Sequence, residues 1–201
     1  EMTIPEGKQC IQVYTDTMFG YKDLEVTDAD IEVTVTLESS KFFWTLNGGE
    51  LRIFGEGEMP WYSRLNAANN DMAPWSQYLV KNAIIEEGIT SIGVNAFYDN
   101  KNLVNVNIAN TVTKVWTNAF EDCSSLKSII LPESITTIEM YAFRECSSLK
   151  NIRIPDSVTL IEDGAFKGCS SLTSIVLPDK LTYLHAVFDG CSSLESVTIP
   201  D

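Results

Sequence analysis

The side chains of this 201-residue sequence that could do chemistry are few, and most of them recur. His185 is the single histidine, so a multi-histidine metal site has no ligands and a Ser–His–Asp arrangement would rest on one residue. Cysteines stand at 10, 123, 146, 169 and 191, and the last four each open a Cys-Ser-Ser-Leu segment. A nucleophile is set apart by its surroundings, whereas a residue present in every unit belongs to what the units share. The paired serines are therefore expected to hydrogen-bond turn backbone, and His185 to fill an edge position in an irregular unit. Glu162-Asp163 has no neighbour in sequence that would perturb a carboxyl group. Asp28-x-Asp30-x-Glu32 lacks the glycine turn and terminal acid of a calcium loop, and Gly55-Glu56-Gly57 lacks the lysine of a phosphate loop. No catalytic constellation, metal site or cofactor site is expected.

What positions these residues is a repeat. Ala-Phe precedes each cysteine segment at Ala119-Phe120, Ala142-Phe143 and Ala165-Phe166, with Ala96-Phe97 before them and Val187-Phe188 after. The phenylalanines fall at 97, 120, 143, 166 and 188. A fixed period in the twenties is the signature of a solenoid, in which no unit buries its apolar side alone and neighbours must stack.

In register, each coil opens on Val80, Leu103, Leu126, Leu149, Leu172 or Leu194, with further apolar residues three and five positions on. This spacing predicts a parallel strand. A corner follows at Pro132, Pro155, Pro178 and Pro200, then a second apolar pair: Ile89/Ile92, Val112/Val115, Ile135/Ile138, Val158/Ile161 and Leu181/Leu184. The Ala-Phe segment is expected to be a short helical turn, with Gly168 or Gly190 as its left-handed cap. The phenylalanines should form a buried spine and the four repeated cysteines a buried thiol ladder. Equivalent residues of stacked coils lie about 5 Å apart with parallel side chains, whereas bridged Cβ atoms need about 3.5–4.5 Å. The last coil lacks one residue between Leu184 and Phe188, and the sequence stops at Pro200-Asp201. An artificial chain end, a covering partner or self-association is expected at that face.

Residues 1–40 carry no trace of the repeat. Gln9 to Thr15 and Ile31 to Leu37 alternate apolar and polar as half-buried strands do, and the acidic stretch between them reads as a solvated loop. Phe42 to Leu46 and Glu50 to Phe54 flank Asn47-Gly48-Gly49 and read as a hairpin over about 42–57. Residues 60–75 read as a loop. Within it Trp61, Tyr62 and Trp75 are expected to anchor a cap over the first hydrophobic layer, the alternative being a ligand cage. The division expected is a β-rich region and cap over 1–79 and the solenoid over 80–201.

Net charge is −14, of which −8 falls in residues 1–79 and −6 in 80–201. Nucleic acid and anionic membranes are thereby disfavoured as partners. No apolar run approaches the about 20 residues that span a bilayer. No signal peptide is visible at Glu1-Met2-Thr3-Ile4-Pro5, which suits a trimmed chain as well as a cytosolic one.

The pattern Ile-x-x-x-Ala-Phe-x-x-Cys-Ser-Ser-Leu-x-x-Ile-x-[Ile/Leu]-Pro-x-Ser-[Val/Ile]-Thr resembles the BspA-like leucine-rich repeats of bacterial surface proteins, over residues 80–201. Phe43-Trp44-Thr45-Leu46, Leu51-x-Ile53-x-Gly55-x-Gly57-x-Met59-Pro60 and Ala73-Pro74-Trp75 resemble the module that precedes such repeats. Asn100 in place of cysteine, and Ala109 and Glu86 in place of proline, depart from the pattern. The fold class expected is α/β, a right-handed leucine-rich repeat solenoid of short parallel strands and short helical turns with a β-rich N-terminal cap. The resemblance implies an exported or cell-surface protein that adheres to host, extracellular-matrix or other proteins, with no cofactor.

Recognition can be placed on positions that vary between coils, since those are not needed for stacking. On the exposed side of the first strand they are Ile84, Asn107, Ile130, Arg153, Val176 and Thr198, beside the small polar row Asn82, Asn105, Ser128, Asn151, Ser174 and Ser196. A second candidate is a ridge carrying Trp116, Met140, Tyr141, Leu160 and Tyr183, an interface patch if exposed and local packing if not. The function expected is a non-catalytic protein-binding module, with a structural spacer as the alternative.

Overall fold

The computed structural model describes residues 42–64 and 72–199, together with the backbone of Gln9–Val13 and Leu24–Val26. β1 (Gln9–Val13) pairs antiparallel with β2 (Leu24–Val26) and with β3 (Phe42–Asn47). β3 turns into β4 (Glu50–Gly55) through Gly48 and Gly49, at φ 57° and 88°. Two successive positive φ values give the turn whose twist matches a tight hairpin. The strand expected over Ile31–Leu37, the Asp28–Glu32 carboxylates and the side chain of Cys10 lie outside the described residues.

The free edge of β4 pairs in parallel with β6 (Asn82–Ile85), and β5 (Gly57–Glu58) pairs in parallel with β7 (Ile89–Ile92). The hairpin's second strand is thus the template on which the coils stack. Each later coil adds a strand to a ten-stranded sheet: β8 (Asn105–Ile108), β10 (Ser128–Ile130), β12 (Asn151–Arg153), β14 (Ser174–Val176) and β15 (Ser196–Thr198). A second, five-stranded sheet continues through β9 (Lys114–Val115), β11 (Thr137–Ile138) and β13 (Leu160–Ile161). The register advances by one repeat per coil, as in Ser128↔Asn151 and Thr137↔Leu160.

Between the sheets runs one continuous core. Leu103, Leu126, Leu149 and Leu172 are fully buried, as are both members of the apolar pairs from Ile89/Ile92 to Val158/Ile161. Phe97, Phe120, Phe143 and Phe166 stack nearly parallel, with centroids 5.1, 5.3 and 5.3 Å apart, and Phe188 follows at 6.0 Å. Trp75 heads the column, 5.8 Å from Phe97, and its Nε1 donates to the Ala96 carbonyl at 2.7 Å. Trp44 packs edge-on to Trp75. Tyr62 and Trp75 therefore lie in the cap as expected, but Trp61 points outward and is 66% exposed.

The thiol ladder is present, buried at Cys123, Cys146 and Cys169 and half-buried at Cys191. Cys123, Cys146, Cys169 and Cys191 are free, and each Sγ donates to the carbonyl of the preceding coil's phenylalanine at 3.1–3.2 Å. Burial pushes all four thiols above their ordinary value, which leaves little of the reactive thiolate. Serine hydroxyls after the corners bond backbone of the coil before, Ser134 to Val112 O at 2.5 Å and Ser157 to Ile135 O at 2.7 Å. Those of the Cys-Ser-Ser segments reach the equivalent carbonyls only at 3.5 Å.

The helical turns are a different matter, and the α/β class is corrected: among the described residues the Ala-Phe segments are turns, and no helix forms. Their amide groups alternate between two partners. Ala119, Glu121 and Cys123 donate three residues back within the turn, while Asn118, Phe120 and Asp122 donate to Met140, Ala142 and Arg144 of the next coil. An α-helix would direct every amide four residues back. The alternation needs left-handed residues at both ends, and Asn118 (φ 56°) and Asp122 (φ 62°) supply them, as do Tyr141 and Glu145 or Gly164 and Gly168 in later coils.

The final coil is looser. Leu181 is half-buried and Leu184 exposed where their equivalents are fully buried, and this coil contributes no strand to the second sheet among the described residues. The missing residue shortens the path between pair and phenylalanine, and Ala186 (φ 49°) makes the bend. Val187 and Phe188 keep their places on the column.

Candidate partner-binding surface

Side chains alternate across a strand, so in each coil the residue between two core positions must face outward. The register aligns these residues into a file: Ile84 opposite Asn107, Asn107 opposite Ile130, Ile130 opposite Arg153, and Val176 opposite Thr198. Arg52 of β4 extends it by one strand, opposite Ile84. All six proposed strand residues thus share one sheet face. Ile84 is half-buried and the other five are exposed, Ile130 at 80%. Asn82 and Asn105 in the adjoining row are joined side chain to side chain at 2.9 Å. Arg153 pairs with Glu133, and Arg52 with Glu50 and Glu86.

The ridge breaks into separate contacts. Trp116 is half-buried, lies 5.5 Å from Trp61 and carries the Lys114 ammonium over its ring at 3.6 Å. Lys114 also reaches Glu139 at 3.1 Å, and Glu139 Oε2 accepts from the Thr117 hydroxyl at 2.9 Å. Met140 is exposed, and its amide donates to Glu162. Tyr141 is half-buried, its ring lying where a side chain on Gly164 would have to go. Leu160 is half-buried. Tyr183 donates its hydroxyl to Asp163 at 2.9 Å, and His185 Nδ1 lies 3.1 Å from the other oxygen of that carboxylate. His185 is exposed and Glu162-Asp163 serve as acceptors for neighbouring coils, a scaffolding role for each.

Two features had no signal in the spacing. One is Trp61, which widens the patch around Trp116. The other is Glu121, 1% exposed, whose Oε1 receives both Arg64 Nη2 at 2.8 Å and Arg144 Nη1 at 3.0 Å while its Oε2 has no partner among the described residues. Arg64 in turn lies over the Tyr98 ring at 4.3 Å. Burial raises the Glu121 carboxyl group above its ordinary value, against the two arginines that act to lower it. Between the ordinary value, about 4.3, and the raised one, the folded chain holds a proton that the unfolded chain has released. This group's contribution to stability therefore grows as pH falls through that window. Urea midpoints at pH 7 and pH 5 should show the parent gaining on Glu121→Gln upon acidification; equal shifts would refute the assignment.

Among known proteins the chain is similar to several bacterial leucine-rich repeat proteins of solved structure. A leucine-rich repeat protein of T. pallidum shares 24% identity over 79% of each chain with a TM-score of 0.60, a likeness of fold. One from Bacteroides ovatus shares 27% identity over 84% of this chain and 46% of its own, at a TM-score of 0.60. A leucine-rich cell surface protein of Faecalibacterium prausnitzii shares 25% identity over 85% of this chain and 55% of its own, at 0.50. The chain thus spans about half the length of the last two. No curated protein matches it significantly. The BspA type leucine-rich repeat region matches residues 76–195 in six copies, more than half of the sequence and the same stretch that stacks as coils. The chain belongs to the BspA type leucine-rich repeat family.

Proposed function

We propose that this is a non-catalytic protein-binding module of a secreted or cell-surface protein, and that it engages its partner through the exposed face of the ten-stranded sheet. The observation that carries this reading is the file of outward residues that stacking does not require. Ile130 and Val176 are 80% and 55% exposed on a face they share with Asn107, Arg153 and Thr198 and with the small polar row from Asn82 to Ser196. Large apolar groups left in water on an ordered surface are suited to contact with another protein. The relative from Faecalibacterium prausnitzii bears the name of a cell surface protein, which supports the location. Among the described residues no helix is long and apolar enough to cross a membrane. Trp61, Trp116, Met140, Tyr141 and Tyr183 form the second candidate surface.

The test is retention on an array of purified extracellular-matrix proteins and glycans. The parent is expected to be held by at least one protein. Ile130→Ser with Arg153→Ala and Val176→Ser should abolish that, and Trp116→Ser with Tyr183→Ser should leave it. Loss confined to the second variant would move the site to the ridge. Retention of the parent by nothing on the array would favour the spacer.

A further inference from the structure

Beside the outward file, which holds Arg52 and Arg153, charged residues form two further lines along the ten-stranded sheet. Where the strands begin, the chain is linked coil to coil at Lys81, Val104, Lys127, Lys150, Thr173 and Glu195: Val104 N donates to Lys81 O at 2.8 Å, Lys127 N to Val104 O at 3.3 Å and Lys150 N to Lys127 O at 3.4 Å. Just beyond the strand ends, the equivalent positions are Glu87, Asn110, Glu133, Asp156 and Asp179. At most six residues of extended chain separate the lines, so they run within about 20 Å of each other. The three lysines and four carboxylates are all exposed.

Folding accounts for three of the other lysines better than for these. Lys101, Lys114 and Lys167 are paired with Asp99, Glu139 and Asp189, whereas Lys81, Lys127 and Lys150, like Lys180 beside Asp179, make no ion pair among the described residues. The chain has 28 acidic residues to 14 basic ones, so carboxylates are not scarce. Lys127 and Lys150 directly precede adjacent strands, which lie about 4.8 Å apart, and like charges there repel. An anionic partner laid along the line would relieve that repulsion.

We propose that this face takes an extended acidic segment of a partner protein, lying across the strands with its carboxylates along Lys81, Lys127 and Lys150. The inference rests on reading the sheet face as protein-binding and adds the partner's chemistry. Lys81 to Lys150 spans three coil steps, about 14 Å, which is too long for one small anion and suits a chain with repeated charges. Ile84, Ile130 and Val176 stand beside the line on the strands that follow or adjoin it, and they match apolar side chains that a sulfated glycan does not have. The opposite carboxylate line repels the same segment and so fixes which edge it takes.

The test uses short fluorescein-labelled peptides built from Glu-Val-Ser, Lys-Val-Ser or Gln-Val-Ser repeats, and a heparin oligosaccharide, read by anisotropy at two salt concentrations. The Glu-Val-Ser peptide should bind, and more weakly at high salt. Lys127→Glu with Lys150→Glu should weaken it about tenfold or more, while the equally charged control Lys101→Glu with Lys167→Glu should stay within about twofold. Equal binding of the three peptides, or equal loss in the control, would overturn the proposal, as would heparin binding more tightly than the acidic peptide. Binding of Gln-Val-Ser that survives the lysine reversals but is lost in Ile130→Ser with Val176→Ser would overturn the charge assignment alone. Failure of every peptide, together with failure on the protein array, would overturn both readings.

Discussion

Phe143→Ala is expected to destabilise the chain by about 3–5 kcal/mol and to lower its Tm by about 10 °C. Phe143 is fully buried, with Phe120 and Phe166 each 5.3 Å away and nearly parallel. Truncation leaves a void with an aromatic ring on either side, and neither ring can move in because each is held by its own neighbour in the column. The backbone makes relaxation harder still. The Phe143 amide donates to Ala165 O at 2.8 Å, and its carbonyl accepts the Cys169 thiol at 3.2 Å. Thermal unfolding of the purified variant checks this, and a melt that superimposes on the parent's would show that the column is not the mechanical centre of the fold.

Gly88→Ala should be the most costly change at the seam between cap and coils, about 2–4 kcal/mol. Two penalties coincide there. Gly88 has φ 101°, a conformation that residues with a side chain rarely adopt, and an added Cβ would stand 2.1 Å from the Gly55 carbonyl oxygen. That oxygen belongs to backbone, so no rotamer change relieves the contact. The Gly88 carbonyl also receives the Gly57 amide at 2.9 Å, the bond that ties the hairpin's exit to the first coil. Gly57→Ala is the natural control: φ is 94°, but nothing lies within 4 Å of its added Cβ. It should cost only the backbone strain, about 1–3 kcal/mol. Equal denaturation midpoints for the two variants would mean that the close approach to Gly55 contributes nothing.

Repetition is what made the coils readable. Val112 and Val115 could belong to many structures alone; five equivalent pairs at one spacing fix which side of the chain is inward, because a period must satisfy every coil at once. The outward file from Ile84 to Thr198 followed as the complement of that constraint. The same reasoning misled at the Ala-Phe segments. Alanine, phenylalanine and a following glycine suggest a helical turn, but half of the amides find their acceptors in the next coil, and such partners exist only once coils are stacked. Trp61 and Tyr62 illustrate where repetition gives no help. They are adjacent in a non-repeating segment, and no period distinguishes the residue that turns inward from the one that turns out.

Glu121 marks the limit most clearly. Its equivalents are Tyr98, Arg144, Lys167 and Asp189, a column free to vary, and one of its two arginines is Arg64, 57 residues earlier. By itself the sequence determined the coil, its length, its buried spine and thiols, and the face left turned outward. All of these follow from burying the same apolar positions in every unit. Tertiary structure alone decided that β4 seeds the ten-stranded sheet, that the turns share their hydrogen bonds between coils, and that Glu121 is shared by arginines from cap and coil. Those features depend on groups brought together by non-repeating chain or by stacking itself, and neither leaves a period to be read.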